Sequence, residues 1–539
     1  MNQVPSGQID LGDRDGAIDP MLAKAFVSTL SYRRLSQRAI VTVEGRKGSG
    51  KSAFARYEQS SRPQSSARII SADSIHFLSL VQEFASAMQQ SGLDARLLVH
   101  AWTQAFTHEA FDLILTASDA GILTPEARDI ALVRQYLGQR YPQASPSQHQ
   151  IFAEKLTATI LGVLGKAKDM SSKSSVVEAV DKALIPSSAF LKAKAAAIRV
   201  MASSSTPLFL AFDGMDRFYD SPELAYDPKS HHVVQQFMMA LLFATGDLVR
   251  EPLFQQIDLK VMLPLDRIMS LHFKDRVKTE QHLHRIEWVR EELLQFVASR
   301  IALSLKEEMG DPWTAWYRVF PPTIQNQRDR SVREDSFSYI LRHTMLRPRD
   351  FQVHWKCIRD AARDGIITED ALRDGIKNGC EELASFYLDE WAQEYPFIRG
   401  VLDLFRGMAN VLPYDDKAAK ILGKGRAAVN AHIASVARSA VISLPFSTTH
   451  LINQENQLMV NHEFVERLLY AIGFLGKLAD HEGDLRTEER RYKTMPYWCW
   501  FSCYQKHPAL KEGDRLLIHP IFYGPYDIVA GEPVVVGPG

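Results

Sequence analysis

The stretch that most constrains the fold of this chain is residues 39–52, which read A-I-V-T-V-E-G-R-K-G-S-G-K-S. Its first five residues form a short apolar, β-branched run, which predicts a buried strand. The strand leads into Gly45-x-x-x-x-Gly50-Lys51-Ser52, and the residues from Ala53 onward are typical of a helix. A strand, a glycine-rich loop and a helix in this order predict an α/β fold.

The residue types in this glycine loop (residues 45–52) suit the binding of phosphate groups. Glycines at three positions let backbone N–H groups turn toward an anion, and the N-terminus of the following helix adds positive charge from its dipole. Lys51 can reach the β- and γ-phosphates, and the hydroxyl of Ser52 can ligate Mg²⁺. The alternative is a flexible surface loop rich in glycine, serine and lysine. The predicted ligands of ATP are Gly45, Arg46, Lys47, Gly48, Ser49, Gly50, Lys51, Ser52 and Ala53.

An acidic residue after a second apolar run would complete a magnesium site. The run at Leu208–Phe212 predicts a strand and places Asp213 at its carboxyl end, where ligands of open α/β sheets bind. We predict that Asp213 and Ser52 hold Mg²⁺, and that Asp216 is the general base for the attacking water. The alternatives are a turn-forming aspartate at Asp213 and, for Asp216, a helix cap or a salt bridge with Arg217.

Further apolar runs indicate how the chain is divided. Residues 67–71 and 259–263 predict strands, and residues 97–114 and 233–249 have the spacing of amphipathic helices. Strands that alternate with helices predict a parallel sheet, and 539 residues are too many for one hydrophobic core. We predict a flexible arm over residues 1–20, an α/β core over 21–287 with a helical insertion at about 75–200, a helical lid over 288–380, and a helical, winged-helix-like domain over 381–539.

Composition narrows the class of protein. A formal net charge of −1 argues against attraction of the whole surface to nucleic acid. A chain with this net charge is still able to carry a local basic patch. Four cysteines are too few for a disulfide framework, and they lack zinc-ribbon spacing, which favours buried thiols. The first residues lack the pattern of a signal peptide, and no apolar run reaches the length of a membrane span. We therefore expect a cytoplasmic protein without membrane contact.

The two nucleotide motifs carry a family resemblance. G-R-K-G-S-G-K-S at residues 45–52 and D-G-M-D-R-F at residues 213–218 resemble the STAND branch of AAA+-related P-loop ATPases, in particular a bacterial family of stand-alone ATPases. Weaker blocks lie at His284–Trp288, His343–Asp350 and Tyr470–Gly476. The resemblance implies an ATPase core, a helical lid and a winged-helix domain that work as an ATP-dependent switch. Such switches often oligomerise, and the wider group commonly serves in signalling or in defence against phage.

The resemblance also assigns a lid arginine. The segment Arg347-Pro348-Arg349-Asp350 resembles the lid segment whose arginine contacts the γ-phosphate, and we predict Arg349 in this role, with Arg347 as the second choice. A solvated arginine at a helix end is the alternative. The long separation of Gly45 from Asp213 departs from the family pattern. A second departure is that no sensor-like arginine directly follows the run at residues 259–263; Arg267 is a candidate for this role, although Pro264 disturbs the register.

Four other groups of residues have simpler explanations than a catalytic or binding site. The histidines lack an H-E-x-x-H frame, so solvated or capping roles are favoured over a metal site. The charged run 480–491 suits a solvated loop better than a nuclease centre, and the aromatic residues near Tyr497 suit core packing better than base stacking. Residues 417–426 are the best local basic patch for DNA contact, with a solvated face as the alternative.

Three functions therefore compete. The first is a Mg²⁺-dependent ATPase switch of the STAND type whose output requires a protein effector or a homo-oligomer, because the chain has no nuclease, TIR-like or protease motif. The second is an AAA+-like ATPase that reads duplex DNA through a winged helix. The third is a scaffold that binds nucleotide and scarcely hydrolyses it, which the presence of Lys51, Asp213 and Asp216 argues against.

Overall fold

Two compact units make up the chain. The computed structural model describes residues 3–16, 18–71, 95–141, 185–215, 228–265, 281–325, 333–392, 397–413, 424, 427, 451–454, 457–460, 465, 468–470, 472–478, 499–500 and 515–529. One unit, the α/β unit, is residues 30–286, and the other, the helical unit, combines residues 1–29 with 287–539. In sequence, the α/β unit is therefore an insertion into the helical unit.

A five-stranded parallel sheet forms the centre of the α/β unit. Its strands are β1 (Thr42–Gly45), β2 (Ala67–Ser71), β3 (Leu208–Asp213), β4 (Ile257–Pro264) and β5 (Leu283–Arg285). They lie in the order β2-β3-β4-β1-β5, and all the neighbouring pairs are parallel. The predicted α/β class with a parallel sheet is thus confirmed. Strand β5 was not predicted, because its three residues lack an apolar pattern.

Helices cover this sheet, whose strands carry apolar side chains on both faces, as parallel strands do. The helices are α1 (Leu30–Leu35), α2 (Lys51–Ser60), α3 (Ala95–Asp119), α4 (Ala127–Arg140), α5 (Ser188–Ala202) and α6 (Pro228–Leu248). Alternate residues of β3 enter two separate clusters: Phe212 packs edge-to-face on Trp102 and Phe106 of α3, whereas Phe209 packs on Phe54 of α2. Helices α3, α4 and α5 fall in the interval predicted as a helical insertion.

After the sheet, the chain returns to the helical unit at Glu287. Its described helices are α7 (Arg290–Leu305), α8 (Pro312–Tyr317), α9 (Ser336–Leu341), α10 (Pro348–Ala361), α11 (Glu369–Ala392) and α12 (Ile398–Asp403), with a hairpin of β6 (Thr323–Gln325) and β7 (Arg333–Asp335). The predicted boundary between the lid and the C-terminal domain lies after residue 380. Helix α11 crosses that point without a break.

Residues 1–20 do not form the loose arm that their polar composition predicts. Ile9, Leu11 and Val27 are buried in the same core cluster as α7 and α10. The guanidinium of Arg300 donates to the carbonyl oxygens of Leu11 and Ala25 and to the carboxylate of Asp19, at 2.9, 3.1 and 2.6 Å. We call residues 3–16 and 18–29 the N-terminal strap. A few apolar residues and one buried arginine are enough to order it.

Short strands dominate the described part of the chain after residue 403. These strands are β8 (Val411–Pro413), β9 (Leu451–Gln454), β10 (Gln457–Val460), β11 (Leu475–Leu478), β12 (Cys499–Trp500) and β13 (Arg515–Ile518). Four of them form an antiparallel sheet in the order β12-β11-β13-β8, and β9 pairs with β10 in a separate hairpin. The sequence also predicts helices at residues 429–440 and 463–472; the first and half of the second lie outside the described residues, so the winged helix stays a prediction.

Candidate functional site

The glycine loop joins β1 to α2, as the sequence predicts. Gly48 and Gly50 have φ values of 83° and 102°, which place them in the left-handed region where side chains are strained. A Cβ atom on Gly45 would collide with the hydroxyl of Ser49. Three of the loop's glycines are therefore required by its shape, independently of any ligand.

Lys51 is the first residue of α2, and its side chain folds back over the loop. Its ammonium donates to the carbonyl oxygens of Gly45 and Arg46, at 2.8 and 3.3 Å. Only 6% of Lys51 is exposed. The loop thus closes around its own lysine. A phosphate oxygen is able to take the place of these carbonyl oxygens as the acceptor for the Lys51 ammonium.

The N-terminus of α2 adds backbone donors to the same position. The helix is ten residues long, and its N-cap residue is Gly50, which has no side chain with which to cap the first N–H groups. Ser52 and Ala53 belong to the first turn and are half-buried. Uncapped donors, the helix dipole and a lysine ammonium together make a site suited to an anion.

The far end of α2 is held by a buried polar network. Tyr32 of α1 donates to Glu58 at 2.9 Å, and burial together with the charge of Glu58 raises the pKa of Tyr32 to about 12. Glu58 also accepts from Arg62, at 2.7 Å, and Arg62 in turn contacts Asp258 of β4 at 3.3 Å. These contacts fix α2, and with it Lys51 and Ser52, against the sheet.

Asp213 is the last residue of β3, and it is half-buried. Phe212 of β3 and Thr42 of β1 are both register partners of Val261 in β4, which lies between them. Because neighbouring strands are about 4.8 Å apart, β3 and β1 lie about 10 Å apart at that level. The parallel strands bring Asp213 and the glycine loop to the same edge of the sheet. The predicted base Asp216 and the sensor candidate Arg267 lie outside the described residues.

Sequence reasoning missed a pair of charges beside the loop. Glu44 precedes Gly45 and is 1% exposed, and its carboxylate lies 3.5 Å from the guanidinium of Arg285 on β5. The neighbouring His284 has a lowered pKa, because of its burial and the positive charge of Arg34. A glutamate in an apolar strand was a visible signal, but its partner depends on the unpredicted strand β5.

The two arginines predicted for the lid role have different surroundings within the helical unit. Arg347 is 5% exposed, with its guanidinium 3.4 Å from Asp350, 3.8 Å from Glu390 and stacked over the ring of Tyr387. Two carboxylates thus already occupy it, which disfavours it as a phosphate ligand. Arg349 is half-buried, and its Nε donates to the carbonyl oxygen of Arg14 at 3.4 Å. Of the two, Arg349 keeps more of its donors available.

Among the described residues, no cluster of three His, Cys, Asp or Glu side chains has the geometry to hold a metal ion. Cys357 and Cys380 are free thiols. The side chains of His231 and His232, together with His272, residues 480–491 and Tyr497, lie outside the described residues, as does the basic patch 417–426 apart from Lys424. Within the described helices, none is long and apolar enough to cross a membrane.

Comparison with known proteins gives one match. A family model described as a FunZ-associated C-terminal helical domain matches residues 291–382, which cover α7 to α10 and the first half of α11. No curated protein and no solved structure matches the chain. In this segment the chain is therefore similar to a helical domain that accompanies FunZ.

Proposed function

We propose that this chain is a Mg²⁺-dependent ATPase that acts as a STAND-type molecular switch. The observation that carries the proposal is the position of Lys51, folded over a loop with two left-handed glycines at the uncapped start of α2. No other position in the described α/β unit combines a buried ammonium with a helix N-terminus and a sheet-edge carboxylate. The P-loop motif of the sequence supplies the chemical identity of the anion.

Each residue would contribute one part of the chemistry. ATP, when bound, supplies the phosphoanhydride that is cleaved. Lys51 would transfer its hydrogen bonds from the loop carbonyls to phosphate oxygens, while backbone N–H groups of the loop surround them. Ser52 and Asp213 would hold Mg²⁺, since hydroxyl and carboxylate oxygens are the ligands this ion prefers. Asp216 would orient and deprotonate water, and Arg349 would read the nucleotide from the lid.

The switch would need a further protein to produce an output, either an effector or other copies of this chain. Signalling and defence against phage are the settings that the STAND resemblance suggests. The competing function as a DNA-reading ATPase depends on a winged helix and on residues 417–426, for which the described residues supply no support. We therefore propose the switch.

Substitutions in the loop test the proposal. We expect Lys51→Ala to weaken ATP binding by about 100-fold, or about 2.8 kcal/mol, because the ammonium is lost from the anion site. Asp216→Asn should bind ATP normally and lose turnover. Lys192→Ala, which changes an exposed lysine of α5, is the matched control. Binding is measured by titration with a fluorescent ATP analogue, and turnover by phosphate release.

Three results would each count against a part of this proposal. Unchanged ATP binding in Lys51→Ala would remove the glycine loop as the nucleotide site. Normal turnover in Asp216→Asn would remove Asp216 as the base and leave the loop assignment intact. Binding without turnover in the unaltered protein and in the presence of Mg²⁺ would support the scaffold instead.

A further inference from the structure

Three exposed arginines lie close together at one edge of the α/β unit. Arg33 and Arg34 belong to the last turn of α1, and Arg38 lies in the turn that joins α1 to β1. In the described part of the chain, none of the three side chains makes a hydrogen bond or an ion pair. Some other exposed arginines of the α/β unit do have carboxylate partners, as Arg134 has in Asp119 and Arg199 in Asp129.

Contacts between α1, the turn and β5 join these arginines into one surface. Nδ1 of His282 lies 3.2 Å from the carbonyl oxygen of Ala39, next to Arg38. The charge of Arg34 contributes to the lowered pKa of His284, so these two side chains are also neighbours. Strand β5 is the outermost strand of the sheet on this side. We call this surface the basic edge; it comprises Arg33, Arg34, Arg38, His282, His284 and Arg285.

Little negative charge offsets the basic edge. Residues 30–41 and 281–286 contain no aspartate or glutamate. Two carboxylates beside this surface, those of Glu44 and Glu58, are 1% and 5% exposed and are held by Arg285 and Arg62, whereas Glu287, the residue that follows the second segment, is exposed. The chain as a whole has a net charge of −1, so the excess of positive charge here is local.

Structural roles account for part of this charge. Basic residues in a last helical turn complement the helix dipole, and charged side chains beside a short edge strand discourage pairing with other chains. One or two arginines are sufficient for either role. Three arginines without counter-charges repel one another, which costs stability unless an anion binds them.

We propose that the basic edge binds the phosphate backbone of a nucleic acid. Its cations are arginines and not lysines, and the planar guanidinium suits the paired oxygens of a phosphodiester. The exposed neighbour Gln37 is polar, and its side-chain amide adds a neutral donor. A lipid surface would require a broader apolar face than the one exposed leucine, Leu30, that α1 provides. Contacts to phosphates alone predict binding without sequence preference.

A charge-matched pair of variants tests this proposal. The first carries Arg33→Gln, Arg34→Gln and Arg38→Gln, and the control carries Arg128→Gln, Arg140→Gln and Arg250→Gln, which remove three exposed arginines elsewhere in the same unit. Binding of the full chain to duplex and to single-stranded DNA of roughly 20 nucleotides is measured by fluorescence anisotropy over a range of salt concentrations. The two DNA forms show which source of phosphate backbone the surface prefers.

We expect the unaltered protein and the control to bind DNA with the same steep salt dependence. The basic-edge variant should bind at least about tenfold more weakly at 100 mM salt. The slope of log affinity against log salt should become shallower by about 2.7 for duplex, or by about 2 for single strands, because three phosphate contacts are lost. Thermal unfolding verifies folding, and Arg38→Gln alone, with about a third of the slope change, replaces the triple variant if it fails to fold.

Three results would overturn the proposal. The first is absence of DNA binding by the unaltered protein at about 50 mM salt, where backbone contacts are strong. The second is an equal loss in the control, which would show that only total charge matters. The third is arginine-dependent binding to phosphatidylserine vesicles without binding to DNA, which would identify the partner as a membrane surface.

Discussion

At the scale of single residues, buried charges are the least expected feature of the α/β unit. Lys260 of β4 is fully buried, and its ammonium donates to the carbonyl oxygens of Gln37 and Ile40, at 2.9 and 2.7 Å. It also lies 2.7 Å from the carboxylate of Asp258. Burial lowers the pKa of Lys260, and Asp258 opposes this shift. The lysine thus fixes the turn that leads into β1 and the glycine loop.

Asp258→Asn should destabilise the protein by about 3–5 kcal/mol, because it leaves a buried ammonium without a counter-charge. The folded-state pKa of Lys260 lies below its unfolded-state value, so the loss should shrink as pH rises toward the usual pKa of lysine. The double variant Asp258→Leu, Lys260→Met, which removes both charges, should be nearly neutral. Urea unfolding at neutral and alkaline pH measures these differences. A change below about 0.5 kcal/mol in Asp258→Asn would show that Asp258 is not the essential counter-charge.

At the scale of elements, the pair α10 and α11 shows how glycines determine helix contact. Gly375 and Gly379 lie one turn apart on α11. A Cβ atom on Gly375 would collide with the backbone of Ile358, and one on Gly379 with the ring of His354, both on α10. The sequence predicts a helix over residues 368–376. It does not predict why glycine is needed at these two positions, because that need comes from the close packing of α10.

Gly375→Ala should therefore destabilise the helical unit by about 1–3 kcal/mol, because the two backbones must move apart. Gly400→Ala in α12 is the matched control, since a Cβ atom there meets no atom within 4 Å. The control should stabilise the helix by about 0.5–1 kcal/mol, as alanine does in place of an interior glycine. Chemical unfolding of both variants measures the contrast. Equal effects would refute the close approach of α10 and α11.

At the scale of the whole molecule, the α/β unit lies in sequence between the two segments that form the helical unit. The N-terminal strap belongs to the helical unit, the chain then forms the α/β unit, and it re-enters the helical unit at Glu287. Gln352 of α10 donates to the carbonyl oxygens of Leu11 and Asp13, at 3.1 and 2.7 Å. The helical domain that the family comparison recognises, residues 291–382, is therefore completed by residues from the other end of the chain.

Removal of residues 1–28 should destabilise the helical unit by more than about 3 kcal/mol, since it leaves Arg300 buried without Asp19. Arg300→Met should act in the same direction, whereas Arg363→Met, which changes an exposed arginine of this unit, should have little effect. Hydrogen exchange of peptides from α7 and α10 reports the loss. Unchanged exchange in the truncated protein would show that the strap contributes no stability to this unit.

Local pattern was enough to predict much of the α/β unit. Strand β2 has the predicted bounds, and β3 and β4 extend the predicted runs by one to three residues. Short-range preference decides such elements, because continuous apolar and β-branched residues favour buried strands. The glycine loop was predictable for the same reason, since its glycines and its lysine lie within eight residues. Roles that depend on distant residues, such as those of Asp216 and Arg349, stay predictions.

The sequence by itself determined the class of the sheet, the glycine loop and the position of Asp213 after a strand, because each depends on neighbours in the chain. Only the tertiary structure decided the strand order, the pairing of Glu44 with Arg285 and the burial of the N-terminal strap. It also distinguished Arg347, which forms ion pairs with two carboxylates, from Arg349, for which no ion pair is found among the described residues. These features join residues far apart in sequence, and their free energy comes from burial and charge pairing that no local pattern encodes.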